Sequence, residues 1–141
     1  MATISVNGTS LYFEDSGPAE GGETIVFSHG LLGSTRLFDA QVEALRGRFR
    51  CVAYDHRGQG LSAACALRSI DMELVYRDAV ALIEALDLGA VHFCGLSMGG
   101  FVAMRLGARR PDLVKSLILI ETAARPELPQ RVRKYRLFNF L

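Results

Sequence analysis

Two hydrophobic patterns alternate along the 141-residue chain. Short unbroken apolar runs, typical of strands buried on both faces of a sheet, end in segments rich in glycine and polar residues. Segments in which apolar residues recur every three or four positions, as on one face of a helix, come between them. The apolar runs cover residues 24–28, 50–54, 114–120 and a stretch that begins at Val91.

Helical segments are predicted over residues 35–46, 71–86 and 98–109. The first follows two hydroxyl residues, Ser34 and Thr35, either of which can act as its N-cap. Near the start of the chain, Asn7 and Gly8 separate two short strand-like segments and tolerate the positive φ angles of a tight hairpin turn. Strands that alternate with helices after such a hairpin predict an α/β fold. We expect a mostly parallel twisted sheet with helices on both faces and an N-terminal antiparallel hairpin.

Ser97 lies where the run from Val91 passes directly into a helical pattern. It is the central residue of Gly95-Leu96-Ser97-Met98-Gly99, which fits the motif G-x-S-x-G. A strand that reverses sharply into a helix crowds the residues two before and two after the apex, so glycines there remove side chains that would clash. The first N–H groups of the helix have no intrahelical partner and point at the space in front of the hydroxyl. The segment therefore predicts a nucleophile beside anion-stabilising donors.

Composition and charge narrow the class of protein. The chain is 50% hydrophobic, which indicates a globular protein with a core of ordinary size. Its formal net charge of +1 argues against nucleic acid or an anionic membrane as an obligatory partner. The N-terminus has no basic segment followed by an apolar one, and the three cysteines show no metal-binding spacing. We therefore expect a cytoplasmic protein without a signal peptide, membrane span or bound metal.

Three motifs stand in order along the chain. His29-Gly30-Leu31-Leu32-Gly33-Ser34 follows one strand, the segment 55–62 with the pattern D-x-R-G-x-G-x-S follows the next, and the Ser97 motif follows the third. Together they resemble the α/β-hydrolase superfamily, and most closely its esterase, lactonase and cofactor-free haloperoxidase-like branch. The resemblance implies a serine hydrolase without cofactors that acts on a small-molecule carboxylic ester, lactone or thioester through an acyl-enzyme.

The resemblance also implies roles for individual residues. Ser97 corresponds to the nucleophile, and the backbone N–H groups of Leu31 and Met98 correspond to the oxyanion hole. His29 and Gly30 shape the loop that approaches the substrate carbonyl. The segment 55–62 is a structural element beside the site and is not catalytic.

The chain departs from the family pattern at the catalytic base. The family places its triad histidine on a late loop after the nucleophile, whereas the only histidines here, His29, His56 and His92, all precede Ser97. We therefore expect the N-terminal half of such a hydrolase, with residues 1–123 in the core, residues 124–141 at the start of a helical cap, and little activity alone. Glu121, at the end of the last strand, corresponds to the triad acid of some branches, or else caps the following turn.

Other functions are compatible with the same motifs. Perhydrolases or haloperoxidases, acyltransferases and carbon–carbon bond hydrolases of the same fold can also use a serine at this position. A protein that kept the fold but lost the base would instead bind a small ligand without turnover.

In the family's strand order, residues 114–120 form an interior strand, so we expect an exposed edge there that self-associates or pairs with a complementing C-terminal half.

Overall fold

The computed structural model of the chain describes residues 2–66 and 70–125, and these form one six-stranded sheet with helices on both faces. The strands are β1 (Ala2–Val6), β2 (Thr9–Asp15), β3 (Thr24–Ser28), β4 (Arg50–Tyr54), β5 (Val91–Leu96) and β6 (Val114–Ile120). Their spatial order is β1-β2-β4-β3-β5-β6. The hairpin β1–β2 and the pair β2–β4 are antiparallel, and the other three pairs are parallel. The predicted α/β architecture with its antiparallel hairpin is confirmed.

The helices are α1 (Asp39–Leu45), α2 (Met72–Ala85) and α3 (Met98–Arg109), with 3₁₀ turns at Thr35–Phe38 and Pro111–Leu113. The single helix predicted over 35–46 is therefore wrong in its first turn, which is 3₁₀. Ser34, one of the two predicted N-caps, is the N-cap residue of this turn, but its side chain makes no capping hydrogen bond. The carboxylate of Asp55, which directly follows β4, accepts the Thr35 N–H at 2.6 Å. A residue outside the helical segment thus satisfies one of the unpaired N–H groups at its start.

The two faces of the sheet carry cores of unequal size. On one face, Val26, Val52 and Phe93 are fully buried against apolar residues of α2 and α3. On the other face, a smaller cluster packs around Phe38, and no residue of α1 is buried. That cluster consists of Ile25, Phe27, Phe38, Cys51, Ala53 and Cys94.

β6 forms one edge of the described sheet and pairs only with β5. Two of its apolar side chains, Ile118 and Leu119, are 42% and 46% exposed. Among the described residues, the edge predicted at residues 114–120 has no second partner strand, whereas its association with another chain stays a prediction.

Two further expectations concern the C-terminal cap and a membrane span. The predicted cap, residues 124–141, lies outside the described residues from position 126 onward, so the boundary after residue 123 stays a prediction. Within the part of the chain that is described, no helix has both the length and the apolar character that a bilayer crossing requires.

Candidate active site

Ser97 forms the sharp turn between β5 and α3. Its φ and ψ angles are 50° and −107°, and the next residue, Met98, is the first of α3. A positive φ is uncommon for a residue other than glycine and costs on the order of 1–2 kcal/mol. The surrounding structure must hold such a backbone in place, which is characteristic of a nucleophile elbow.

Close backbone packing explains both glycines of the elbow. A methyl group on Gly95 would overlap the backbone of Gly99, and one on Gly99 would overlap the carbonyl group of Ser28 at the end of β3. The predicted steric role of these glycines is confirmed. The elbow therefore packs without side chains against both its own strand and the neighbouring strand.

The end of β6 holds the elbow from the other side. The Ser97 N–H donates to the carbonyl oxygen of Ile120 at 2.9 Å, and the Thr122 hydroxyl donates to the carbonyl oxygen of Ser97 at 3.0 Å. Sequence analysis missed Thr122. No pattern marks it, because the contact depends on where β6 ends relative to the elbow.

The segment after β3 packs directly against the elbow. The Gly33 N–H donates to the Gly30 carbonyl oxygen at 3.0 Å, which closes a four-residue turn. A methyl group on Gly30 would lie 3.4 Å from Cβ of Ser97 and 3.0 Å from a methyl carbon of Leu96, so glycine permits this close approach. The structure thus brings the His29-Gly30 motif and Ser97 together, as predicted.

The two residues predicted to supply the oxyanion donors line the same cavity. Within residues 2–66 and 70–125, the backbone N–H groups of Leu31 and Met98 have no hydrogen-bond partner. Both residues line a cavity of about 130 Å³ at the start of α2. The complete lining is Leu31, Gln59, Ile70, Asp71, Met72, Val75 and Met98. A larger groove of about 580 Å³ on the outer surface of α3 contains none of the predicted site residues.

The segment 55–62 supports the site through buried polar contacts. The Asp55 carboxylate accepts the N–H groups of Thr35 at 2.6 Å and Leu61 at 2.7 Å. Arg57 forms a buried bidentate ion pair with Asp78 of α2. Sequence analysis did not single out Asp78, although a carboxylate on the apolar face of α2 was a signal that a buried partner exists.

Gln59 of the same segment contacts the loop after β3. Its side-chain oxygen accepts the Leu32 N–H at 2.6 Å. Arg57, Asp78 and Gln59 thus join α2, the segment 55–62 and the loop after β3.

His29 is close to the elbow but has no nitrogen available as a base. Its Nδ1 lies 2.7 Å from the Gly30 carbonyl oxygen, which fixes Nδ1 as the donor, and its Nε2 accepts the His56 N–H at 3.1 Å. Burial lowers the pKa of His29 below its usual value, so the ring is neutral. This geometry supports a loop-shaping role for His29.

The other two histidines are also unsuited to activate Ser97. His56 is fully buried beneath His29 and Tyr54, and burial lowers its pKa to about 3. His92 lies near the opposite end of β5, where its Nδ1 contacts Ser116 Oγ at 2.8 Å. Five residues along a strand separate His92 from Ser97 by roughly 16 Å.

Two other ionisable groups, Cys94 and Glu121, lie near the elbow. Burial raises the pKa of the Cys94 thiol to about 11, so this cysteine stays protonated and is a poor nucleophile. Glu121 directly follows β6 with φ at 45° and is exposed, and among the described residues its carboxylate has no hydrogen bond or ion pair. Its role as triad acid stays a prediction.

No group of three or more potential metal ligands exists among residues 2–66 and 70–125.

The profile of the alpha/beta hydrolase fold matches residues 23–141 of this chain. The chain belongs to the alpha/beta hydrolase family. Among proteins of this family, it is 36% identical over 128 residues to a protein of Caulobacter sp. (strain K31) provisionally named carbamate hydrolase RutD, covering 90% of this chain and 47% of that relative. It is 33% identical over 118 residues to 3-oxoadipate enol-lactonase 1 of Acinetobacter baylyi, covering 84% of this chain and 43% of that relative.

Solved structures show the same relation. A thermophilic esterase of Thermogutta terrifontis superposes with a TM-score of 0.88 at 30% identity, over 97% of this chain and 52% of the esterase. The enol-lactonase of Burkholderia xenovorans LB400 superposes with a TM-score of 0.85 at 35% identity, over 96% of this chain and 54% of the lactonase. The chain thus spans about half the length of the relatives that it matches.

Proposed function

We propose that Ser97 is the nucleophile of a serine hydrolase that acts on a carboxylic ester, lactone or thioester through an acyl-enzyme. One observation carries the proposal: Leu31 and Met98, whose N–H groups have no partner among the described residues, line one cavity, and Met98 directly follows Ser97 at the elbow. In this mechanism the Ser97 oxygen attacks the substrate carbonyl carbon. The two N–H groups stabilise the oxygen as it becomes negatively charged, and the tetrahedral intermediate then collapses to the acyl-enzyme by breaking the C–O or C–S bond to the leaving alcohol or thiol. Water hydrolyses the acyl-enzyme, which releases the acid and restores Ser97.

The choice of substrate class rests on the relatives. Their names include an enol-lactonase and an esterase, and both act on carbonyl carbons that carry an oxygen leaving group. A cavity of about 130 Å³ next to both donors suits a small acyl group. A cytoplasmic location, which fits the free thiols of Cys51 and Cys94, is part of the same proposal.

Proton removal from Ser97 needs a base that these 141 residues do not supply, because no histidine follows Ser97 and both nitrogens of His29 are engaged. We propose that a C-terminal half, in the same or in a complementing polypeptide, supplies it. Losing one triad member typically lowers kcat by about four to six powers of ten, so the 141-residue chain alone is expected to be nearly inactive.

The same missing base favours a second candidate function, in which the protein binds a small ligand at this cavity without turnover. The two functions differ in how Ser97 reacts. A hydrolase forms a covalent adduct at Ser97, whereas a binding protein shows saturable binding of a small ester and no adduct.

Fluorophosphonate labelling tests the proposal. The 141-residue chain is mixed with the C-terminal half of the Acinetobacter baylyi enol-lactonase and treated with a fluorophosphonate probe, and the label is mapped by peptide mass spectrometry. Labelling is expected at Ser97 and is lost in Ser97→Ala. The matched control Ser34→Ala, a nearby serine whose side chain makes no capping bond, keeps the label. Labelling that persists in Ser97→Ala contradicts the proposal.

A further inference from the structure

The turn after β3 contains a leucine in a backbone conformation that leucine rarely adopts. Gly30 to Gly33 form a turn closed by the bond from the Gly33 N–H to the Gly30 carbonyl oxygen, and Leu32, its third residue, has φ at 60°. Leu31, the second residue, does not have a positive φ. This combination defines a type II turn, whose third position favours glycine. Some contact must therefore keep Leu32 in place.

Gln59 provides that contact. Its side-chain oxygen accepts the Leu32 N–H at 2.6 Å, and only 6% of Gln59 is exposed. The backbone of Gln59 is itself fixed, since its N–H donates to the His56 carbonyl oxygen at 3.0 Å and its carbonyl oxygen accepts the Ser62 N–H at 3.1 Å. A rigid buried acceptor thus faces the one N–H group whose direction distinguishes a type II turn from a type I turn.

We propose that Gln59 is a positioning residue that keeps the oxyanion site free of a competing carbonyl oxygen, an inference that rests on the proposed hydrolase function. In a trans peptide the N–H and C=O groups point in opposite directions. While the Leu32 N–H points at Gln59, the Leu31 carbonyl oxygen points away from it.

Loss of the acceptor removes this constraint. Leu32 then relaxes to a negative φ by a flip of the peptide between Leu31 and Leu32, which converts the turn to type I. The flip turns the Leu31 carbonyl oxygen toward the side occupied by Gln59. Gln59, Leu31 and Met98 line the same cavity, so that oxygen approaches the place where negative charge develops on the substrate. A carbonyl dipole in that orientation opposes the two N–H donors.

The test uses the 141-residue chain itself, with Gln59→Leu as the main variant. Catalysis that persists without the triad base comes from the oxyanion hole and binding, so acetylation of Ser97 by p-nitrophenyl acetate reports on this site. The rate is followed by intact mass, with Ser97→Ala as the blank, and is expected to fall roughly 10- to 100-fold in Gln59→Leu. Amide hydrogen exchange by NMR is expected to be at least about tenfold faster at Leu32, while amides in β3 and β5 are unchanged.

A second substitution separates positioning from general damage. Leu32→Gly in the Gln59→Leu background is expected to restore most of the acetylation rate, because glycine adopts the positive φ without an external acceptor. The control is Leu31→Gly in the same background, one residue earlier, where φ is not positive and no rescue is expected. If Gln59→Leu does not fold, Gln59→Met replaces it, since methionine is flexible enough to fill the same space.

The outcomes are distinct for the two proposals. Unchanged Leu32 exchange in the Gln59 variant overturns the positioning role, and so does a loss of rate that Leu32→Gly does not restore. If wild-type acetylation does not depend on Ser97, the proposed hydrolase function fails instead. The exchange at Leu32 then decides by itself whether Gln59 holds the turn.

Discussion

The corner around Ser97 and the open side at β6 have opposite arrangements of polar and apolar residues. In the corner, polar side chains are buried and make hydrogen bonds or an ion pair, and Asp55, His56 and Arg57 are at most 7% exposed. On the open side, Ile118 and Leu119 of β6 are apolar and partly exposed. Buried polar groups and exposed apolar groups are the informative exceptions in a folded protein. The comparison therefore separates a corner of buried polar contacts from a side with exposed apolar residues.

The largest expected effect is self-association of the chain through the edge of β6. Within residues 2–66 and 70–125, β6 pairs with a neighbour on one side only, and it has no proline and one charged residue, Lys115. We expect the 141-residue chain to self-associate through this edge at micromolar concentration, which corresponds to about 8 kcal/mol of association free energy. Light scattering and hydrogen exchange on the purified chain measure it.

The variant Ile118→Lys sharpens that prediction, because a charge on an edge strand disfavours strand pairing. Its scattering is expected to be that of a monomer. The matched control Leu37→Lys changes an apolar residue that is 49% exposed and lies outside the sheet, and it leaves association intact. A monodisperse wild-type monomer with strongly protected amides across residues 114–120 contradicts the prediction.

Inside the corner, removal of one charge is expected to cost more stability than removal of a comparable charge elsewhere. Asp78→Asn leaves the Arg57 guanidinium buried without its counterion, and breaking such a pair costs about 3–5 kcal/mol. The control is Glu43→Gln, which breaks the exposed pair with Arg46 and costs less than about 1 kcal/mol. Urea unfolding of both variants gives the two free energies. Equal losses would show that the corner network is no more important than a surface ion pair.

These contacts also show how far the sequence predicts the molecule. The strands, α2, α3 and the elbow glycines follow from hydrophobic periodicity and from local crowding, so the sequence predicts them. The 3₁₀ turn before α1 and its cap by Asp55 do not follow, because Asp55 is 20 residues from Thr35 along the chain and reaches the turn only through the sheet. Gln59 and Thr122 escape prediction for the same reason. Each contacts a backbone group of a distant loop, and residue type alone does not reveal such partners.

The smallest of the expected effects concerns the pH dependence of the corner. Burial lowers the pKa of His56 in the folded protein to about 3, whereas an unfolded histidine has a pKa of about 6.5. Below about pH 6.5 the unfolded chain therefore binds a proton that the folded chain does not, and stability falls as the pH is lowered. The contribution of His56 is fully present above pH ~6.5 and is lost toward pH ~3.

The expected loss is about 1.4 kcal/mol for each pH unit, or about 2 kcal/mol between pH 6.5 and pH 5. Urea unfolding across this interval measures the slope, and carboxylates add little to it there because most of them titrate below pH ~5. His56→Asn retains hydrogen-bonding atoms but cannot take up the proton, so its stability should change less with pH, even if it is lower throughout. His29 also has a lowered pKa and remains in the variant, so part of the slope persists. A slope that is identical in the wild type and in His56→Asn would show that His56 is not held neutral by burial in the corner.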